Sequence, residues 1–289
     1  MIHNRALSGA PAGIATNANH KYRIHVEQNL PPVPKKHRVN RQYFPAKIAR
    51  ISFTFWDLNA VCETFFRWTH EDKPRMVSLV NPHSVMTTKQ DPHFARALDS
   101  MDVNLPDGIG IIMAAKILGI RQRGRIAGPD LVAYVCKHGR KNKLRHYFYG
   151  GNEGVAEAMA SNLQKRFPGM IVAGTHCPPF RENEASEDRQ ILDKMNGQKI
   201  DVLWVGLGAP KQELWMAKHR QLLNAKILIG VGAAFDIHAN VVKRSPKIFQ
   251  KLGFEWLWRL ILEPKRMWRR NLNSFYFLKE VMGQKFAFK

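Results

Sequence analysis

Short apolar, β-prone runs that end in glycine turns constrain this chain more than any other feature. Residues 146–149 enter Gly150-Gly151-Asn152-Glu153-Gly154, and residues 201–205 enter Gly206-Leu207-Gly208-Ala209-Pro210. Residues 227–231 enter Gly232-Ala233-Ala234-Phe235-Asp236. Helical stretches follow the first two turns, to residue 166 and to about residue 223. The same rhythm predicts strands over 76–80, 101–105 and 170–174, and helices over 92–100, 111–118 and 130–137. Strands alternating with helices imply a parallel sheet covered on both faces, because parallel neighbours are joined by crossovers.

Residues 1–45 are rich in Pro, Asn and basic side chains and read as a disordered tail. A compact domain is expected over 46–242. From 243 to 289 the character changes. Lys247, Lys251, Glu255, Arg259 and Glu263 recur every fourth residue, with Ile248, Leu252, Trp256, Leu257, Leu260 and Ile261 on the opposite side. That pattern predicts one amphipathic helix broken by Pro264, then a second basic and aromatic stretch. Packing against the main domain is the plain explanation of the apolar side. Cations beside Trp also suit a membrane interface.

Lys+Arg number 45 against 23 Asp+Glu, a net charge of +22 that favours polyanions such as nucleic acid, anionic lipid or phosphorylated substrates. Cys62, Cys136 and Cys177 are odd in number and form no CxxC pair, which suits a reducing cytosol. No apolar run approaches the ~20 residues of a membrane helix, and the first residues lack the apolar stretch expected of a secretory signal. The expected location is cytoplasmic, with affinity for a membrane surface.

Gly108-Ile109-Gly110, Gly206-Leu207-Gly208 and Gly230-Val231-Gly232 are GxG turns, and Gly150-Gly151 is another glycine turn. Each turn alone makes a tight βα connection; together they predict a nucleotide-phosphate pocket at helix N-termini. Met113, Lys211 and Phe235 replace the third glycine of GxGxxG, which argues against an NAD-dependent oxidoreductase. Asp107 follows a strand and precedes a helix. It can serve as a general base or as a helix cap, and spacing alone favours the cap. Asn81 before Pro82 reads first as a turn, Gln212 as an exposed first-turn residue, and Arg125 as one of a solvated cluster with Arg121 and Arg123. Walker, GxSxG, HExxH and DxD patterns are absent, and no bound metal or other cofactor is expected.

The motifs nevertheless fall in one order. Asn81-Pro82, Asn104-Leu105-Pro106-Asp107-Gly108-Ile109-Gly110 and Arg125-x-Ala127-Gly128-x-Asp130 come first. The Gly150-Gly151 turn, residues 205–213 and residues 230–236 follow, then Gly253-x-Glu255-Trp256-x-x-Arg259 and Glu263-Pro264-x-Arg266-x-x-Arg269. This order resembles the WecG/TagA/CpsF family of bacterial glycosyltransferases over residues 50–272. The resemblance implies a Rossmann-like domain with a C-terminal appendage that contacts the inner face of the cell membrane. It implies metal-independent, inverting transfer from a UDP-sugar to a polyprenyl-diphosphate-linked acceptor. N-acetylmannosamine, its uronic acid and glucose are the donor sugars it leaves open. Asp107 then matches a catalytic base, and Asn81, Arg125 and Gln212 match pocket residues. Gly150, Gly151, Gly206, Gly208 and Gly232 match the phosphate turns. Arg259, Arg266 and Arg269 match arginines thought to hold the diphosphate. Leu79 stands where family members often carry Thr, which puts one donor contact in question. The alternative, resting on charge alone, is a nucleic-acid-binding α/β protein; the resemblance implies no nucleic acid and leaves a homo-oligomer open.

Overall fold

The structure is a computed structural model that describes residues 45–179 and 185–287; the expected tail lies almost wholly outside the described residues. A small antiparallel hairpin, β1 (Ala46–Ile48) and β2 (Ile51–Phe53), opens the described chain. Then come α1 (Leu58–Trp68), β3 (Arg75–Val80), α2 (Pro82–Thr87), α3 (Pro92–Asp99), β4 (Val103–Pro106) and α4 (Ile109–Ile117). The middle is α5 (Gly128–His138), β5 (Arg145–Gly150), α6 (Val155–Arg166), β6 (Ile171–His176) and α7 (Ala185–Asn196). β7 (Val202–Gly206), α8 (Lys211–His219), β8 (Ile227–Gly230) and α9 (Ala234–His238) close the sheet-bearing part. Three helices end the chain: α10 (Lys247–Leu252), α11 (Glu255–Leu262) and α12 (Pro264–Ala287).

The main sheet has six strands in the order β4-β3-β8-β7-β5-β6, and every pairing in it is parallel. Both faces are apolar by alternation. Val77, Leu79, Val103, Phe148, Trp204 and Ile229 pack under α1, α5 and α6. Met76, Val80, Tyr149, Leu203 and Leu228 face the other way, with Ile111, Met216 and Phe277 of α4, α8 and α12 over them. This is the doubly covered parallel sheet that the strand–helix alternation predicts.

The C-terminal helices depart from expectation. The single helix expected from 247 is two, because Gly253 caps α10 at φ 79 and turns the chain. The break expected at Pro264 is present, since α11 ends at Leu262, and Pro264 then opens α12, where a missing N–H costs nothing. The apolar side of α10 and α11 packs inward only in part: Ile248, Leu252, Trp256 and Ile261 are exposed, whereas Leu257 and Leu260 are half-buried. α12 changes along its length. Phe277 and Val281 are buried in the core, and Gln284 accepts from Ala49 N (2.7 Å) and donates to Lys47 O (3.0 Å) on the hairpin. Lys89–Glu280 at 2.6 Å adds a tie next to α2. Upstream on the same helix Trp268, Leu272, Phe275 and Tyr276 are exposed.

Close packing at the strand ends rests on missing side chains. Gly150, at φ 134, lies so near the Gly206 backbone that a Cβ would come within 2.6 Å of its carbonyl carbon. A Cβ on Gly206 would sit 2.4 Å from the Phe235 ring, which is itself buried. Gly206→Ala therefore overpacks a rigid ring. It is expected to cost about 1–3 kcal/mol, read as a lower urea midpoint with an unchanged slope.

Candidate functional site

The ladder of the parallel sheet does not stop at the strand ends. Asp107 N donates to Val80 O at 3.0 Å, and Ile126 N donates to Pro106 O at 2.9 Å. These two bonds bring Asn81, Asp107 and Arg125 onto neighbouring loops. Val231 N to Val205 O (2.9 Å) and Gly151 N to Gly206 O (3.2 Å) lace the glycine turns beside them in the same way. The two groups meet at Gly128, where a Cβ would lie 3.1 Å from Val231 O. Helices α2, α4, α5, α6 and α8 all begin at this edge. Their free N–H groups and dipoles make it favourable to an anion.

Asn81 is the N-cap of α2, accepting from Ser84 N at 3.0 Å through Oδ1; the expected turn is a helix start. Asp107 does not cap α4. Gly108 takes that position at φ 83, a conformation open to glycine, so the carboxylate stands one residue upstream of the cap. Arg125 is not a solvated side chain. Its Nη1 donates to Glu255 of α11 at 2.7 Å and its Nη2 to Gln250 O of α10.

Gln212 is buried, not exposed. Its Oε1 accepts from Gly232 N at 3.1 Å and its Nε2 donates to Glu213 Oε1 at 2.9 Å. It therefore ties the turn after β8 to the start of α8, and Gly230 must lack a side chain to admit it. Gly208 accepts from Gln212 N through its carbonyl and lies beside Gly232. Leu79 is buried beneath Gly128, in the apolar layer under α5. The expected arginines Arg259, Arg266 and Arg269 stand on α11 and α12, but their side chains lie outside the described residues.

Two acids were not among the residues picked from the sequence. Glu213 is buried and shares Oε1 between Ser78 Oγ and Gln212 Nε2, each at 2.9 Å. Its Oε2 has no hydrogen-bond partner among the described residues. Burial pushes its carboxyl up to about 7, against the pull of the Gln212 and Ser78 hydrogen bonds. In the sequence it closes the 205–213 motif with no role of its own. Glu255 stands in the charge stripe and in the Gly253–Arg259 motif without an assigned role, yet it meets both Arg125 and Arg244 (Nε to Oε1, 3.1 Å). Arg244 in turn grips Asp130 with two bonds of 2.6 and 2.7 Å. Burial raises the Glu255 carboxyl, but the two guanidinium groups outweigh it and hold the group below its ordinary value.

The sign of the Glu213 shift gives a stability test. A carboxyl whose folded pKa is raised contributes fully below its unfolded value, near 4.5, and loses that contribution as pH rises through about 7. Glu213→Gln cannot ionise. Its melting temperature relative to the parent chain is expected to be higher at pH 8 than at pH 5, as thermal melts at the two pH values would record.

Known proteins share much of this sequence. A profile of the glycosyl transferase WecG/TagA/CpsF family matches residues 46–289. An N-acetylglucosaminyldiphosphoundecaprenol N-acetyl-beta-D-mannosaminyltransferase of Bacillus spizizenii is 32% identical over 203 residues, covering 70% of this chain and 77% of the relative. The protein of the same name from Bacillus subtilis is 30% identical, covering 68% and 75%. One from Staphylococcus aureus is 29% identical, covering 65% and 72%. None of these matches supports the nucleic-acid alternative. With its ordered motifs gathered at one edge of a parallel sheet, the chain belongs to the WecG/TagA/CpsF family of glycosyltransferases.

Proposed function

We propose that this enzyme is an inverting, metal-independent glycosyltransferase that moves a sugar from a UDP-sugar to a polyprenyl-diphosphate-linked saccharide at the inner face of the cell membrane. The observation that carries this reading is the adjacency of Asn81, Asp107 and Arg125 at an edge where several helices begin. The names of the relatives favour N-acetylmannosamine as the sugar and an N-acetylglucosaminyl-diphospholipid as the acceptor.

In this reading the acceptor hydroxyl oxygen attacks the anomeric carbon and passes its proton to the Asp107 carboxylate. The bond from that carbon to the β-phosphate oxygen breaks on the opposite side, and UDP leaves with the electron pair. Attack from the far side inverts the centre, which fits the β linkage in the relatives' names. The charge on the departing diphosphate needs fixed dipoles or cations. Helix N-termini at the strand ends supply the first, and Arg125 with Arg259, Arg266 and Arg269 the second. Gln212, bonded to Glu213 and to Gly232, serves by fixing the glycine turn.

No helix among the described residues is long and apolar enough to cross a membrane. The exposed Trp256, Ile261, Trp268, Leu272 and Phe275 of α11 and α12, in a strongly basic chain, support contact with an anionic membrane surface.

UDP release with a short-chain lipid-diphosphate acceptor is expected to persist in EDTA. In the same assay Asp107→Asn is expected to lower kcat by about 10²–10⁴. Metal dependence sinks the first claim and unchanged turnover the second. Because Trp268 and Phe275 are exposed, Trp268→Glu with Phe275→Glu is expected to keep the fold by circular dichroism. The pair should lose sedimentation with phosphatidylglycerol vesicles, and retained binding removes the membrane role of α12.

A further inference from the structure

We propose that Glu255 is a positioning residue for the transfer, clamping the C-terminal helices onto the strand-end loops by pairing at once with Arg125 and Arg244. The proposal rests on the reading of that edge as the transfer site.

An amphipathic helix ordinarily docks through its apolar side. Here Trp256 and Ile261 of α11 are exposed and Leu257 and Leu260 only partly buried, so the apolar side docks incompletely. The polar side adds a second attachment. Arg125 reaches across to Glu255 Oε2 and to the carbonyl of Gln250, joining α10 and α11 through one guanidinium. Glu255 Oε1 receives Arg244 Nε, and Arg244 continues as a bidentate pair to Asp130 at the start of α5. Ser245 Oγ donates to the same Glu255 oxygen at 3.4 Å. The side chains of Arg125, Glu255 and Arg244 are only about a fifth exposed, so water screens these pairs weakly.

The clamp closes on the loop that bears the candidate base. Gly253 separates α10 from α11, and a Cβ there would sit 2.9 Å from Cβ of Ile109, two residues beyond Asp107. Arg125 is tied to that loop from the other side, since the next residue donates to Pro106 O. Glu255 also stands one helical turn before Arg259 on α11. Fixing Glu255 therefore fixes the start of α11, the helix that carries Arg259. Arg125 uses Nη1 and Nη2 in the clamp, and among the described residues its Nε–H has no partner, so it can hold Glu255 and still meet a phosphate oxygen.

The test uses the full chain with Glu255→Gln, Glu255→Asp, Arg244→Gln and the Glu255→Gln/Arg244→Gln pair. Glu255→Gln is expected to lower kcat for UDP release by about 10–100-fold, with the donor KM within about twofold, because misplacement of catalytic groups acts on turnover. Glu255→Asp should recover most of that loss, and the double variant should be no worse than Glu255→Gln alone. Hydrogen exchange, which needs no substrate, should show faster exchange in residues 255–262 of Glu255→Gln and unchanged exchange in β3 and β8. Unchanged exchange in α11 overturns the clamp. Unchanged kcat overturns the positioning role. Tighter donor binding in Glu255→Gln also overturns it, by showing that Glu255 competes with the diphosphate for Arg125. A parent chain that transfers from no UDP-sugar sinks the proposed function, while the exchange measurement still decides the clamp.

Discussion

The hydrogen bond from Asp107 N to Val80 O carries the parallel register of β3 and β4 one step past the strands. Everything at the candidate site depends on that continuation. In a parallel sheet all carboxyl ends lie along one edge, and each crossover helix runs back against its strand. Helix N-termini therefore collect where the strands end. Asn81, Asp107, Gly151, Gln212 and Gly232 share that edge because the backbone ladder brings their loops level. An electropositive rim follows from the fold before any side chain is considered.

The rim is completed from a distant part of the chain. α10 and α11 leave several apolar residues exposed and are tied down by Glu255, Arg244 and Arg125, whereas the far half of α12 is sewn into the core by Phe277 and Val281. The C-terminal helices thus have a fixed end and an exposed apolar end. A basic, apolar surface of this kind suits a lipid-borne acceptor, and the ion pairs relate that surface to the Asp107 loop. The same packing supports Asn81, since α12 lies against α2, whose first turn Asn81 caps.

Much of the architecture is legible residue by residue. The glycine turns at 150, 206 and 232 end strands where the β-prone runs stop, and helices follow them. Several roles were read differently because each depends on a partner that local pattern does not reveal. Gln212 reads as exposed on its own helix, but the sheet and the Gly232 turn cover it. Asp107 reads as a cap, but the positive φ of Gly108 moves the cap one residue along. The split at Gly253 was hidden by a charge period that runs through it without interruption.

What the sequence by itself determined is the rhythm of strands, glycine turns and helices, and the ordered motifs that mark the family. Both are local: alternation, turn chemistry and spacing act within a few residues. Only the tertiary structure decided that Glu213 is buried against Ser78, 135 residues away, and that Glu255 meets Arg125 across a separation of 130. It also decided which side of α11 faces solvent. Such pairings follow from how the sheet brings distant segments together, because the strength of an ion pair or a buried carboxyl is set by its surroundings in space and not by its neighbours along the chain.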